Sequence, residues 1–131
     1  MPGSPEPTNA REAYQAIIDQ LVKEDSEGVA AALVEKEGIY CRSVDSGPFN
    51  VLVQSLSKED RKLLAGMLNE ERRGAIHDVL ALLTWWINCR DVALSFRGEP
   101  MPVELSGMGL HGDYIGRLDG WEWPEEGEDA G

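Results

Sequence analysis

Two histidine–aspartate pairs are the residues of this chain best suited to chemistry. His77 is followed directly by Asp78, and Asp113 lies two positions after His111. Imidazole and carboxylate groups are ordinary ligands for divalent metals such as zinc, manganese and iron. One cleft that held all four side chains would be a metal- or anion-dependent site. Because their spacing matches no established helical metal motif, a solvated face carrying the histidines is the alternative interpretation.

A glycine-rich stretch surrounds the second pair. Residues 107–112 read Gly-Met-Gly-Leu-His-Gly, which is the letter pattern of a dinucleotide-binding turn. That turn requires a strand before it and a helix after it, and Gly116 and Gly120 argue against a following helix. We therefore expect a tight, irregular segment packed against tryptophan side chains. A backbone nest that binds an anion remains the alternative.

The sequence contains no recognisable nucleophilic site. No serine stands in the Gly-x-Ser-x-Gly pattern of hydrolases, and Cys41 and Cys89 match neither a catalytic nor a zinc-binding signature. Two cysteines are also too few for a disulfide framework. Because no apolar stretch has the length of a signal peptide or a membrane span, we expect a cytoplasmic protein with reduced thiols.

The four tryptophans are the candidate binding residues: Trp85, Trp86, Trp121 and Trp123. Neighbouring residues on a helix point about 100° apart, so Trp85 and Trp86 cannot both enter one small pocket. One of these two indoles would then face the core, and the other would face the glycine-rich segment or an interface, where aromatic side chains dominate the binding energy. The alternative is that the tryptophans fill the core of a short chain.

The charge of the chain is strongly acidic. Acidic residues outnumber basic ones by 24 to 12, which gives a net charge of -12 and a pI near 4.5. Most of the excess lies in residues 1–38 and 98–131, whereas residues 39–97 are nearly neutral. This balance argues against nucleic acid or an anionic lipid surface as a partner, and it favours a basic protein.

Helical periodicity covers most of the chain. A capping-box-like start at Asn9 begins a helical region that reaches about Lys36 and is closed by Gly38, as one bent helix or as two helices divided near Gly28. A short helix is expected to begin near Gly47, which precedes a proline. Ser57 then caps the next helix.

The segment Ala75–Phe96 has the strongest apolar pattern. On a helix of about 3.6 residues per turn, its apolar residues cover all but a narrow polar stripe. Other elements must surround such a helix, so we expect it to be the buried centre of the fold. The composition turns glycine-rich after Arg97, and Asp119-Gly120 between two apolar runs predicts a short β-hairpin over residues 114–123.

Two segments carry a resemblance to other proteins. Residues 71–80, which read Glu-Arg-Arg-Gly-Ala-Ile-His-Asp-Val-Leu, and the stretch Gly107–Trp123 resemble short uncharacterised bacterial proteins of unknown function. The resemblance implies no activity and transfers no catalytic residue to this chain.

Together these patterns predict an all-α fold: four or five helices around a central buried helix, with a glycine-rich C-terminal segment. Residues 9–123 form a single domain, between a flexible lead-in at 1–8 and an acidic tail at 124–131. Without a complete catalytic constellation, we expect a non-catalytic protein-binding or regulatory domain of the adaptor or immunity-protein kind, with no cofactor. The alternatives are a small metal- or anion-dependent enzyme with a site near His77 and His111, and a homodimer formed through the Trp85 or Trp86 face.

Overall fold

The computed structural model describes residues 5–24, 28–42 and 47–126. In these ranges the elements are α1 (Ala10–Glu24), α2 (Val29–Glu37), α3 (Gly47–Gln54), α4 (Lys58–Cys89), β1 (Ser95–Phe96), β2 (Glu99–Pro100) and α5 (Gly109–Leu118). This order confirms the predicted all-α class. No helix of the described ranges is both long and apolar enough to cross a bilayer.

The chain divides into two compact units. The first combines residues 1–23 with residues 76–131, and the second is residues 24–75. The boundary at residues 75 and 76 falls inside α4, which runs uninterrupted from one unit into the other. The single domain over residues 9–123, with its lead-in and tail, stays a prediction, and parts of both flanks lie outside the described residues.

Local capping signals set the ends of the first two helices. The Glu12 backbone N–H donates to Asn9 Oδ1 at 2.9 Å, which confirms the predicted N-cap of α1. At the end of α2, Gly38 takes a left-handed conformation with φ of 71°, and its N–H donates to the Leu33 carbonyl. The region from Asn9 to Lys36 therefore forms two helices rather than one bent helix.

The second unit packs α2, α3 and the first part of α4 around a small core. Its buried residues are Ala31, Val34, Val53 and Ala65. Asn50 of α3 holds the connector after α2, because its Oδ1 accepts the backbone N–H groups of Tyr40 and Cys41. The predicted cap at Ser57 is confirmed, since its Oγ accepts the Asp60 N–H at 3.1 Å.

Helix α4 merges two predicted helices and ends earlier than expected. Gly66 and Gly74 do not interrupt its 32 residues. It stops at Cys89 rather than at Phe96, because Asp91 turns to a left-handed φ of 58° and the Val92 N–H bonds back to the Trp86 carbonyl. This turn sends the chain into the β1–β2 hairpin, whose register pairs Phe96 with Glu99.

The expectation that other elements surround this helix requires correction. In its second half, Leu80 is buried at 7% exposure, whereas Val79, Leu82 and both tryptophans face solvent. The core of the first unit consists of Tyr14, Ile18, Leu80, Leu105, Leu110 and Tyr114. The helix is therefore buried along one face rather than around most of its circumference.

The hairpin predicted at residues 114–123 is wrong. The structure has α5 over Gly109–Leu118, and the hairpin of the described chain lies at residues 95–100. The glycines of α5 serve close packing: a Cβ on Gly116 would lie 3.2 Å from the Trp121 ring. Gly120, with φ of 89°, forms the turn that ends α5 and lets the Trp121 N–H return to the Gly116 carbonyl at 2.8 Å.

Candidate functional site

One face of the second half of α4 is apolar and uncovered. We call it the α4 apolar face and define it by the residues Val79, Leu82, Trp85, Trp86 and Cys89. The exposed fractions are 58% for Val79 and for Leu82, 45% for Trp85 and 44% for Trp86, and Cys89 is also exposed. At 100° per residue, these side chains lie within roughly one third of the helix circumference. Between residues 74 and 89, Asp78 is the one charged residue on this arc.

Both adjacent indoles belong to this surface. Trp85 and Trp86 pack edge to face with ring centroids 5.6 Å apart, and the Arg90 guanidinium lies 4.8 Å from the Trp85 ring centroid. The sequence indicated that one of the two would point into the core. Instead, both contribute to the uncovered face, where the cation–π contact holds Trp85 without burying it.

The other two tryptophans serve the fold. Trp123 packs edge to face on Tyr14 at 5.8 Å, and its Nε1–H donates to Asp19 Oδ2 at 2.9 Å. Arg117 Nε donates to Asp19 Oδ1 at 2.7 Å and its Nη1 donates to the Trp121 carbonyl at 2.6 Å. These contacts fasten the C-terminal segment to α1 and α5, so Trp121 and Trp123 are bound within the chain.

Asp113 is fully buried and its hydrogen bonds are all internal. Its Oδ1 accepts the Ser106 N–H at 2.8 Å, and its Oδ2 accepts the Leu105 N–H at 3.0 Å together with the Tyr14 hydroxyl. Burial, followed by this hydrogen bond and the charges of Asp113 and Glu104, raises the pKa of Tyr14 far above its usual value. Asp113 therefore organises the loop before α5.

The two histidines, 34 positions apart in the sequence, meet in space. The rings of His77 on α4 and His111 on α5 are perpendicular, with centroids 5.3 Å apart. His77 Nδ1 lies 3.2 Å from Asp78 Oδ1. Within the described parts of the chain, no three side chains among His, Cys, Asp and Glu form a group able to hold a metal ion. The structure thus gathers His77, Asp78 and His111 and leaves Asp113 elsewhere.

Thr84 is a residue of this site that the sequence reasoning did not single out. Its hydroxyl donates to the Leu80 carbonyl at 2.9 Å, accepts the Leu110 N–H at 3.0 Å and lies 3.4 Å from His111 Nδ1. The signal was present in the narrow polar stripe of the helix, since His77 and Thr84 are seven residues, or two turns, apart. The hydroxyl joins the first turn of α5 to α4.

A groove of about 890 Å³ runs along α1 in the same unit. Its lining includes Pro5, Ile17 and Phe96, and it includes neither histidine nor any residue of the α4 apolar face. Two of its acidic residues are engaged within the chain: Asp19 binds Arg117, and Glu12 accepts the Thr8 hydroxyl. The groove is therefore separate from both the histidine pair and the α4 apolar face.

Comparison with known proteins gives a family match without an activity. A model for a family of unknown function, DUF6547, matches residues 7–125. No curated protein and no solved structure matches the chain. The match agrees with the resemblance of residues 71–80 and 107–123 to proteins of unknown function.

Proposed function

We propose that this chain, which belongs to the DUF6547 family, is a non-catalytic protein-binding domain whose docking surface is the α4 apolar face. The observation that carries the proposal is the exposure of Val79, Leu82, Trp85 and Trp86, between 44% and 58%, on one side of one helix. Such exposure leaves roughly 400 Å² of apolar surface uncovered, which is the size of the largest apolar patch on a typical monomeric protein, and such patches are often functional. Adjacent tryptophans add the side chains that most often dominate binding energy.

The spacing of the exposed residues favours a helix as the bound element. Val79, Leu82, Trp86 and Cys89 follow one another at intervals of three, four and three. This alternation is the seam by which two helices pack side by side, each apolar residue fitting between residues of the facing helix. The partner then carries its own apolar residues at the same alternating spacing.

The charge of the chain favours basic residues on that partner helix. Asp78 borders the α4 apolar face, and residues 98–131 hold nine acidic residues against the single base Arg117. Opposite charges across an interface accelerate association and exclude partners of like charge. The encounter is proposed to occur in the cytoplasm, because two cysteines are too few for a disulfide framework.

A pair of designed peptides tests this proposal. Each is a helix of about three heptads with leucine at the seam positions; one carries lysine and the other glutamate beside the seam. Binding is followed by tryptophan fluorescence at low and at moderate salt. The lysine peptide is expected to bind, with an association rate that falls about tenfold or more as salt rises. The glutamate peptide is expected not to bind.

Two variants decide whether the α4 apolar face is responsible. Leu82→Glu is expected to abolish binding of the lysine peptide without changing the free energy of unfolding by more than about 0.5 kcal/mol, because Leu82 is exposed. Leu63→Glu, at another exposed leucine of α4, is the matched control and retains binding. Equal binding by both variants would overturn the proposal.

A second copy of the chain is the rival occupant. If sedimentation shows a dimer that Leu82→Glu converts to a monomer, and the lysine peptide does not compete, then the α4 apolar face is a self-association surface. That result would overturn the proposed basic helical partner.

A further inference from the structure

The separation of the two histidine rings matches that of two ligands on one metal ion. Imidazole nitrogens bind Zn²⁺ at about 2.0–2.1 Å with tetrahedral angles, and two such rings then have their centroids about 5 Å apart. The rings of His77 and His111 are 5.3 Å apart and perpendicular. The spacing of the two ring centroids therefore fits two imidazole ligands on one shared ion.

Thr84 determines which nitrogen of His111 carries the proton. The single hydroxyl proton of Thr84 is used in the bond to the Leu80 carbonyl, so its oxygen can only accept from other groups. With the hydroxyl proton placed there, we assign the proton of neutral His111 to Nδ1, which lies 3.4 Å from this oxygen. The lone pair of neutral His111 is then on Nε2.

Asp78 has the same effect on His77. An ionised carboxylate has no proton to donate, so the contact of 3.2 Å between Asp78 Oδ1 and His77 Nδ1 requires a proton on the ring nitrogen. His77 also presents its lone pair on Nε2. Histidine ligands of metals are commonly held in this way, with the second nitrogen donating to a carboxylate or another oxygen.

We propose that His77 and His111 bind one divalent transition metal ion through their Nε2 atoms, with Asp78 and Thr84 as positioning residues. Imidazole ligands suit Zn²⁺, Ni²⁺ and Cu²⁺ in preference to Mg²⁺ or Ca²⁺. The described residues supply no third protein ligand. Water completes the coordination, and the affinity is lower than that of a four-ligand structural site.

The two proposed metal ligands lie apart from the proposed docking surface, and Asp78 is the one residue that borders both. His77 and Thr84 lie on the opposite side of α4 from Leu82 and Trp86, as their positions at 100° per residue require. An experiment can therefore disprove the metal site and leave the docking surface supported, or disprove the docking surface and leave the metal site supported.

Titration with Zn²⁺ alone tests the proposal by calorimetry on untagged protein. Cys41→Ser and Cys89→Ser are introduced first, because neither cysteine forms a disulfide and their thiols would compete for zinc. One ion is expected to bind per chain, and His77→Ala or His111→Ala is expected to weaken binding at least tenfold. The chain has two histidines in all, so no other imidazole obscures the result. Unchanged binding in both alanine variants, or no binding at millimolar Zn²⁺, would overturn the proposal.

The positioning roles of Asp78 and Thr84 are tested by a separate variant with a matched control and by the protonation of the two rings. Asp78→Asn is expected to lower zinc affinity about tenfold, the usual effect of losing a carboxylate behind a histidine ligand. Glu71→Gln removes the same charge from α4 at another exposed position and should leave the affinity unchanged. In nitrogen NMR of the metal-free protein at about pH 8.5, where imidazole is neutral, both rings are expected to be protonated on Nδ1. A ring protonated on Nε2 would contradict the assignment.

Discussion

At the scale of single residues, Asp113 stabilises the fold, although its position in the sequence suggested a metal ligand. Asp113 follows His111 closely and was therefore predicted as a metal ligand, yet its carboxylate accepts two backbone N–H groups and the Tyr14 hydroxyl. Tyr14 lies 99 positions away in the chain. No local pattern reveals a partner at that distance, so the sequence could not separate a buried acceptor from a ligand.

The His77–His111 pair illustrates the opposite case. The sequence identified both residues but contained no information on whether they meet, since α4 and α5 pack together through Thr84 and the first turn of α5. The sequence could therefore identify the two histidines as candidate ligands, but it could not predict that their rings lie close together. The tautomers follow only from the contacts of Thr84 and Asp78.

Tyr14 provides a prediction about pH. Burial and the bond to Asp113 raise the pKa of Tyr14, whereas tyrosine in the unfolded chain titrates near its ordinary value of 10.0. Below that pH both states are protonated, and the stabilising contribution is complete. Above it the unfolded state loses its proton first, so the free energy of unfolding falls by about 1.4 kcal/mol per pH unit from this group. Tyr14→Phe should lack that part of the alkaline slope in urea unfolding.

The control for this experiment is a neighbouring core substitution. Ile18, one turn further along α1, is fully buried and does not titrate. Ile18→Val is expected to cost about 1 kcal/mol, close to the loss of one hydrogen bond, and to keep the full alkaline slope. Equal slopes in Tyr14→Phe and the wild-type chain would show that Tyr14 does not contribute.

At the scale of elements, the starts and ends of helices were the most predictable features. The caps at Asn9, Gly38 and Ser57 depend on residues only a few positions apart, and each was confirmed. Helix α5 was not predicted, because glycine has a low helix propensity. In the structure, the close packing at Gly112 and Gly116 outweighs that low propensity. The apolar pattern of α4 could not show which of its faces the rest of the chain covers.

Two glycines with different surroundings make a matched pair of predictions. Gly109 has φ of 81°, and a Cβ there would lie 2.6 Å from Thr84 Cγ2. Gly109→Ala is therefore expected to lower the free energy of unfolding by about 2–3 kcal/mol. Gly74 lies within α4, and a Cβ there meets nothing within 4 Å, so Gly74→Ala is expected to stabilise by about 0.5–1 kcal/mol. A neutral Gly109→Ala would contradict the close approach of α5 to Thr84.

At the scale of the whole molecule, the distribution of charge could be predicted from the sequence, whereas the division into two units could not. The acidic excess is read directly from the sequence, and it separates a nearly neutral middle from acidic ends. The unit boundary at residues 75 and 76 has no such signal, because it lies inside a continuous helix without proline. Linker composition marks boundaries only where the chain leaves regular structure between units.

The acidic excess predicts how salt changes stability. Folding brings a net charge of -12 into a smaller volume, and the resulting repulsion opposes the folded state. The Debye length falls from about 30 Å at 0.01 M salt to about 8 Å at 0.15 M, so sodium chloride is expected to raise the free energy of unfolding by about 1 kcal/mol over that range. Replacing the exposed Glu125 and Glu126 by glutamine should reduce the rise, because the net negative charge is then smaller by two. Ion pairs such as Arg117–Asp19 act in the opposite direction, since salt weakens them. Urea unfolding at both salt concentrations shows whether overall repulsion or local ion pairs have the larger effect. A free energy of unfolding that falls with salt would mean that local ion pairs dominate the electrostatics of this fold.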